Sequence, residues 1–209
     1  MGKKHLEGFT LIELLVLMMV LAITIGFGVP AFNNMVASNR MTAAANDLIS
    51  SLHTARNAAL TRNASVTLCA SSNTDSVQPE QPDCDAGALL LAGWIVFADD
   101  NANGVVDGDE VVLLTHGSVH DSILSQAGSG ADQPPPQYLL FRSDGSVPTL
   151  TGLPEPIRSI QLCDSRGNRD MGGGIAAGRW IAISSAGRPT LTDRVLRLQD
   201  TDTNPLGGC

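Results

Sequence analysis

Between residues 99 and 110 the chain reads Asp99-Asp100-Asn101-Ala102-Asn103-Gly104-Val105-Val106-Asp107-Gly108-Asp109-Glu110. This is the spacing of an EF-hand calcium loop. Asp99, Asn101, Asn103, the main-chain carbonyl of Val105, Asp107 and Glu110 would supply the ligand oxygens, and Gly104 would make the sharp turn. The flanking segments read as strands, not helices. The same residues therefore also suit a polar connection between strands, where Asn, Asp and Gly are favoured for their turn geometry. Calcium is a possible cofactor on this spacing, and no other cofactor is implied.

Catalysis finds no comparable pattern. The histidines are His5, His53, His116 and His120, and no H-E-x-x-H, G-x-S-x-G or P-loop arrangement occurs. Acidic pairs such as Asp99–Asp100 fit the turn reading better than an acid/base pair, so the chain reads as a non-enzyme. Gly172-Gly173-Gly174 lacks the strand–glycine–helix context of a phosphate cradle. The four cysteines, Cys69, Cys84, Cys163 and Cys209, form no C-x-x-C pair. Their wide spacing suits two disulfides in an oxidising compartment.

The strongest single signal lies before these residues. Leu14 to Val29 carries no charged side chain. With its apolar flanks the segment approaches the ~20 residues that cross a bilayer as a helix. Lys3 and Lys4 precede it, which places that end in the cytoplasm. No small-residue cleavage site follows the run, so it reads as retained. Glu13 stands alone at its entry. A carboxylate in a membrane helix costs roughly 2.5–3.5 kcal/mol at the centre and less near the edge, so such a residue is a functional candidate. The chain has a net charge of −8, and its two lysines both lie in the first eight residues. The acidic remainder argues against non-specific binding of nucleic acid.

The sequence Gly8-Phe9-Thr10-Leu11-Ile12-Glu13 resembles the class III signal of type IV prepilins and type II secretion pseudopilins. The resemblance implies that a membrane peptidase cuts after Gly8, that the new terminal residue Phe9 is N-methylated, and that the apolar segment is kept. It implies that Glu13 pairs with the terminal amine of a neighbouring subunit during assembly, and that Pro30 kinks the helix. The implied partners are other major and minor pilins or pseudopilins, the prepilin peptidase and an inner-membrane assembly platform. The implied location is the inner membrane in a single pass, with the leader cytoplasmic and the C-terminal domain periplasmic.

The elements that position these residues follow from periodicity. Residues 1–8 form a leader, 9–32 a transmembrane helix segment, 33–64 an amphipathic periplasmic helix, and 65–209 a globular β domain. Met41, Ala45, Leu48, Ile49, Leu52, Ala55, Ala59 and Leu60 recur at helical steps. One helix from Phe9 to about residue 62 would span about 80 Å. Strands are expected at Ser65–Ala70, Ala88–Ala98, Val111–Thr115, Tyr138–Ser143, Ile157–Cys163, Arg179–Ser185 and Thr190–Thr192. Asp144-Gly145 is a hairpin signal. Ser125–Gln137 and Asp164–Gly178 read as loops. The fold class is α+β: a long N-terminal helix packed on an antiparallel sheet.

A narrower resemblance rests on Gly93-Trp94-Ile95-Val96-Phe97-Ala98-Asp99 and on Ile181-Ala182-Ile183-Ser184-Ser185-Ala186-Gly187-Arg188. Both are similar to the H-type minor pseudopilin and FimT/FimU minor pilin family. The implied function is that of a minor pilin of a type IV pilus, a structural subunit that initiates or caps the filament. The alternatives are the H-type minor pseudopilin of type II secretion and a DNA-binding competence pilin. DNA-binding members carry Gly-Arg-x-Arg, whereas here the positions read Gly187-Arg188-Pro189-Thr190, so Arg188 lacks its companion. Pairing of the cysteines in sequence order, Cys69–Cys84 and Cys163–Cys209, is favoured among three possibilities. Two bridges resemble the FimU-like members more than the secretion pseudopilins.

Overall fold

The computed structural model describes residues 9–74, 81–85, 87–108, 110–128, 138–149 and 155–209. The chain divides into two units, Met1–Asn39 and Arg40–Cys209. Helix α1, Leu11–Arg62, runs through the boundary between them. Within the first unit its side chains are exposed from Leu11 to Asn33, and its most apolar window has a mean hydropathy of 2.5 with none of it buried. That helix is long and apolar enough to cross a membrane. Pro30 lies inside it without ending it.

The helical residues of the second unit present one face to the β domain. Met41, Ala44, Ala45, Leu48, Ser51, Leu52, Ala55 and Ala59 are buried along it. Three- and four-residue steps place them on one stripe. Leu60, expected on that stripe, is 42% exposed at its margin. The helix ends where Asn63 turns left-handed, at φ 52°. The Ala64 N–H then reaches back to the Ala59 carbonyl, which satisfies a carbonyl the helix would otherwise leave open.

Among the described residues the strands form two four-stranded antiparallel sheets, in keeping with the antiparallel β domain expected. The first contains β1 (Val66–Ala70), β2 (Trp94–Ala98), β3 (Val112–His116) and β5 (Tyr138–Phe141), in the order β3-β2-β1-β5. The second contains β4 (Leu124–Gly128), β6 (Ser159–Cys163), β7 (Ile175–Ile183) and β8 (Pro189–Arg194), in the order β4-β6-β7-β8. A four-residue helix, α2 (Val195–Leu198), follows β8. One core joins α1 to both sheets through Val66, Leu68, Trp94, Val96, Leu139, Phe141, Ile160, Leu162, Ile181 and Ile183. The alternate residues of the first sheet, Cys69, Ile95, Phe97, Tyr138 and Leu140, form a second cluster on its other face, against Cys84, Ala102 and Val106. Burial on both faces is why β2 reads as an unbroken apolar run.

Several expected boundaries differ. The run Ala88–Ala98 is not one strand: Leu90–Ala92 form a 3-10 turn and β2 begins only at Trp94. Gly93 causes the break. Its φ is 145°, and a Cβ there would lie 2.8 Å from the Ser71 carbonyl oxygen. The Ser125–Gln137 loop is a strand as far as Gly128, because Leu124–Gly128 pair with Ser159–Cys163. Residues 129–137 lie outside the described residues. Asp164–Gly178 is likewise shorter as a loop, since β7 starts at Ile175. Asp144-Gly145 does make a tight turn, with the Gly145 N–H on the Arg142 carbonyl. The Arg142 N–H donates to the Ser146 carbonyl across the turn, and Val147 then donates its N–H to the Ser185 carbonyl.

That last contact brings two turns together. Gly187 has a φ of 69°, and a Cβ on it would collide with the Gly145 carbonyl. Gly145 in turn holds Arg56 of α1, whose Nε donates to the Gly145 carbonyl at 3.2 Å. Gly187→Ala is expected to destabilise the domain by about 2–3 kcal/mol, combining the left-handed penalty with displacement of the Gly145 turn. Urea unfolding followed by circular dichroism measures it.

Candidate functional site

Two places carry the candidate residues, the start of α1 and the loop after β2. At the first, the Thr10 N–H donates to Glu13 Oε2 at 3.3 Å, and the Glu13 N–H donates to Thr10 Oγ1 at 3.3 Å. This reciprocal pair is a capping box, which satisfies two N–H groups that a helix start leaves open. Its sequence signature is Thr10-x-x-Glu13. A carboxylate at a helix N-terminus also faces the positive end of the helix dipole. Phe9 is 80% exposed. Gly8 lies outside the described residues, as do Lys3 and Lys4.

At the second, Asp99 sits at the end of β2 with no exposed surface. Its Oδ2 accepts from the Thr67 hydroxyl at 2.7 Å and from the Gly104 N–H at 3.0 Å, and its Oδ1 accepts from the Asn103 N–H at 3.0 Å. Glu110 closes the other end: Oε1 accepts from the Asp100 N–H at 2.9 Å and Oε2 from the Asp107 N–H at 3.0 Å. Asp107 Oδ2 accepts from the side-chain amides of Asn101 at 3.0 Å and Asn103 at 2.6 Å. Those amides hold the Asp107 carboxyl below the usual carboxylate range, Asn101 contributing most. Val105 is 52% exposed at the loop's surface.

The structure thus brings the loop residues together, but around N–H donors rather than around a common oxygen-lined centre. Among the described residues no group of three or more His, Cys, Asp or Glu side chains is placed to hold a metal ion. Both oxygens of Asp99 and both of Glu110 accept hydrogen bonds from within the domain, so the turn satisfies these carboxylates by itself. The donor set fits a self-capped turn better than a cation cage. The turn has a structural task. Ala102 and Val106 pack on the outer cluster of the first sheet, and Gly104 lies under the Tyr138 ring, 3.3 Å from where its Cβ would be. Burial, and then the Asp99 charge, push the Tyr138 phenol above its usual range.

The junction of α1 with the first sheet also carries polar groups that the sequence pattern did not single out. The indole N–H of Trp94 donates to Ser51 Oγ at 2.9 Å, and the Ser51 hydroxyl donates to the Asp47 carbonyl at 2.9 Å. The His116 ring stacks on Trp94 with centroids 3.9 Å apart, and His116 Nε2 lies 3.6 Å from Asp47 Oδ2. His53 is exposed.

A sequence profile of the family described as "Type II transport protein GspH" matches residues 44–187. The chain belongs to the GspH family. Its fold is that of the type IV minor pilin FimU of Pseudomonas aeruginosa. The TM-score to a crystal structure of FimU is 0.50 at 20% identity, covering 74% of this chain and 89% of FimU. The minor pseudopilin EpsH of the Vibrio cholerae type 2 secretion system aligns with a TM-score of 0.45 at 10% identity, over 74% of this chain and 97% of EpsH. No curated protein sequence matches the chain.

In this GspH-family chain, disulfides join Cys69 to Cys84 and Cys163 to Cys209, with Cα–Cα separations of 5.6 Å in both. Arg188 is exposed. Arg179 Nη1 donates to the carbonyls of Ala176, Ala177 and Gly178, and burial lowers the pKa of its guanidinium. Arg194 donates to the Gly173 carbonyl at 3.3 Å.

Proposed function

We propose that this GspH-family chain is a minor pilin of a type IV pilus, a subunit that assembles by its N-terminal helix and initiates or caps the filament. The observation that carries this reading is a single carboxylate, Glu13, held at the start of a helix that is otherwise apolar for the length of a membrane. On this reading the peptidase cuts after Gly8 and leaves Phe9 as a methylated amine. That amine, four residues before Glu13 on a neighbouring subunit, is the cation that offsets the membrane cost of the carboxylate. Pro30 removes one N–H from the helical ladder and eases bending there. The helix sits in the inner membrane with the β domain periplasmic, where the two disulfides form, and it meets an assembly platform and other pilins. No catalytic role is assigned.

A second reading, minor pseudopilin of type II secretion, is favoured by the family's own description. DNA binding through Arg188 has the least support, since Thr190 stands where DNA-binding members carry a second arginine. A deletion strain separates the first two: loss of twitching with normal exoprotein release supports the pilus, and the converse supports secretion. Glu13→Ala should leave cleavage after Gly8 intact and reduce incorporation into filaments by tenfold or more, measured by immunoblot of sheared filaments. Normal incorporation of the variant would overturn the assembly role.

A further inference from the structure

The residues after β8 lie over the face of β6 and β7 turned away from the main core. Leu198 is buried there against Ala176 and Trp180, in a cluster separate from the one that holds α1. Asn204, with no exposed surface, anchors the middle. Its Nδ2 donates to Gln161 Oε1 at 2.9 Å and to the Leu198 carbonyl at 2.8 Å, and its Oδ1 accepts from the Leu206 N–H at 3.2 Å. The Cys209 N–H donates to Asn168 Oδ1 at 2.9 Å, and the Cys163–Cys209 disulfide closes the end. The seat is tight, for a Cβ on Gly178 would lie 2.7 Å from Cys209 Sγ.

We propose that Val195–Cys209 is a redox-sensitive strap, which lifts as a unit when the Cys163–Cys209 bond is reduced while the rest of the domain stays folded. Three features carry this. First, the strap holds itself weakly: α2 has four residues, too few for a self-supporting helix, and Leu198 is its one fully buried apolar side chain. Second, the centre of what it covers is polar. Gln161 also donates from Nε2 to the Arg179 carbonyl at 3.0 Å, and its Oε1 exchanges Asn204 for water when the strap lifts. Opening uncovers Trp180 and Ala176 beside this polar centre, a small cluster separate from the main core, and segments with few buried apolar contacts belong to the low-stability end of a fold. Third, the two disulfides differ in access. Cys209 is exposed and Cys163 half-buried, whereas Cys69 is 1% exposed within the cluster on the first sheet and Cys84 half-buried.

A dithiol such as dithiothreitol then reaches the strap bond first. Its thiolate attacks one sulfur and displaces the other as a thiolate, giving a mixed disulfide. Its second thiol closes a ring and releases the remaining cysteine. Two electrons pass from the dithiol to the protein, which gains two thiols, and the dithiol leaves as a cyclic disulfide.

The test uses the full chain in detergent micelles, with hydrogen exchange and mass-mapped thiol labelling during graded reduction. Expected is labelling of Cys163 and Cys209 before Cys69 and Cys84, with amide exchange over residues 196–208 at least tenfold faster. Protection over residues 41–59 and in β1 and β2 should be unchanged. Cys209→Ser should reproduce the pattern without reductant. Asn204→Ala, with both disulfides intact, should speed exchange of the strap severalfold. Unchanged strap protection after reduction would overturn the proposal. So would loss of protection in the strap and in α1 together, or unfolding of Cys209→Ser, because either shows one cooperative unit.

Discussion

Asp99→Ala is expected to lower the unfolding free energy by about 4 kcal/mol, more than any other single change in the acidic loop. The carboxylate is wholly buried and accepts from Thr67, Asn103 and Gly104. Removing it strands three donors, and each buried donor left unsatisfied costs about 1–3 kcal/mol. Partial entry of water into the space offsets some of that sum. Asp99→Asn keeps the shape but turns an N–H₂ group towards one of those donors, and should cost about half as much. Equilibrium urea unfolding of the full chain in micelles measures both. Calcium separates this account from a cation cage. A network of protein donors predicts no rise in melting temperature at millimolar calcium, and no fall on chelation. A calcium-dependent rise lost in Asp99→Asn would make the loop a metal site.

The loop also shows how far the sequence could be read. Its spacing suits two roles, because side-chain oxygens that suit calcium also suit N–H groups in tight turns. Spacing alone does not tell which of the two they face. The buried stripe of α1 was legible from Met41 to Ala59 because it is apolar at helical steps, yet Ser51 lies in it and was missed. A buried serine looks like a surface residue until its partner, Trp94, is known. Strand β4 was missed because Ser125-Gln126-Ala127-Gly128 has no apolar alternation; its pairing with β6 is a matter of main-chain groups. The division into two sheets was hidden for a related reason. A turn signal such as Asp144-Gly145 says that the chain reverses and not which strand receives it. Pairs distant in sequence, such as Gln161 with Asn204, leave no periodic trace at all.

Trp94 is where the legible helix and the less legible sheets are joined, and Trp94→Ala is expected to cost about 4 kcal/mol or more. The side chain has no exposed surface and belongs to the core that α1 shares with both sheets. Truncating a buried Trp or Phe costs about 3–5 kcal/mol through lost transfer energy and the cavity left behind. Here three further contacts go with it. Ser51 loses the indole N–H, His116 loses the ring it stacks on, and the Asp47–His116 contact loses its backing. Trp94→Phe keeps an aromatic face for His116 and most of the volume but not the N–H, so it should cost about 1–2 kcal/mol. Ser51→Ala alone should cost about 1 kcal/mol, and the double variant Trp94→Phe/Ser51→Ala less than the sum of the two. That shortfall measures the hydrogen bond itself. Strict additivity would mean that the bond contributes nothing and that packing alone holds α1 on the first sheet.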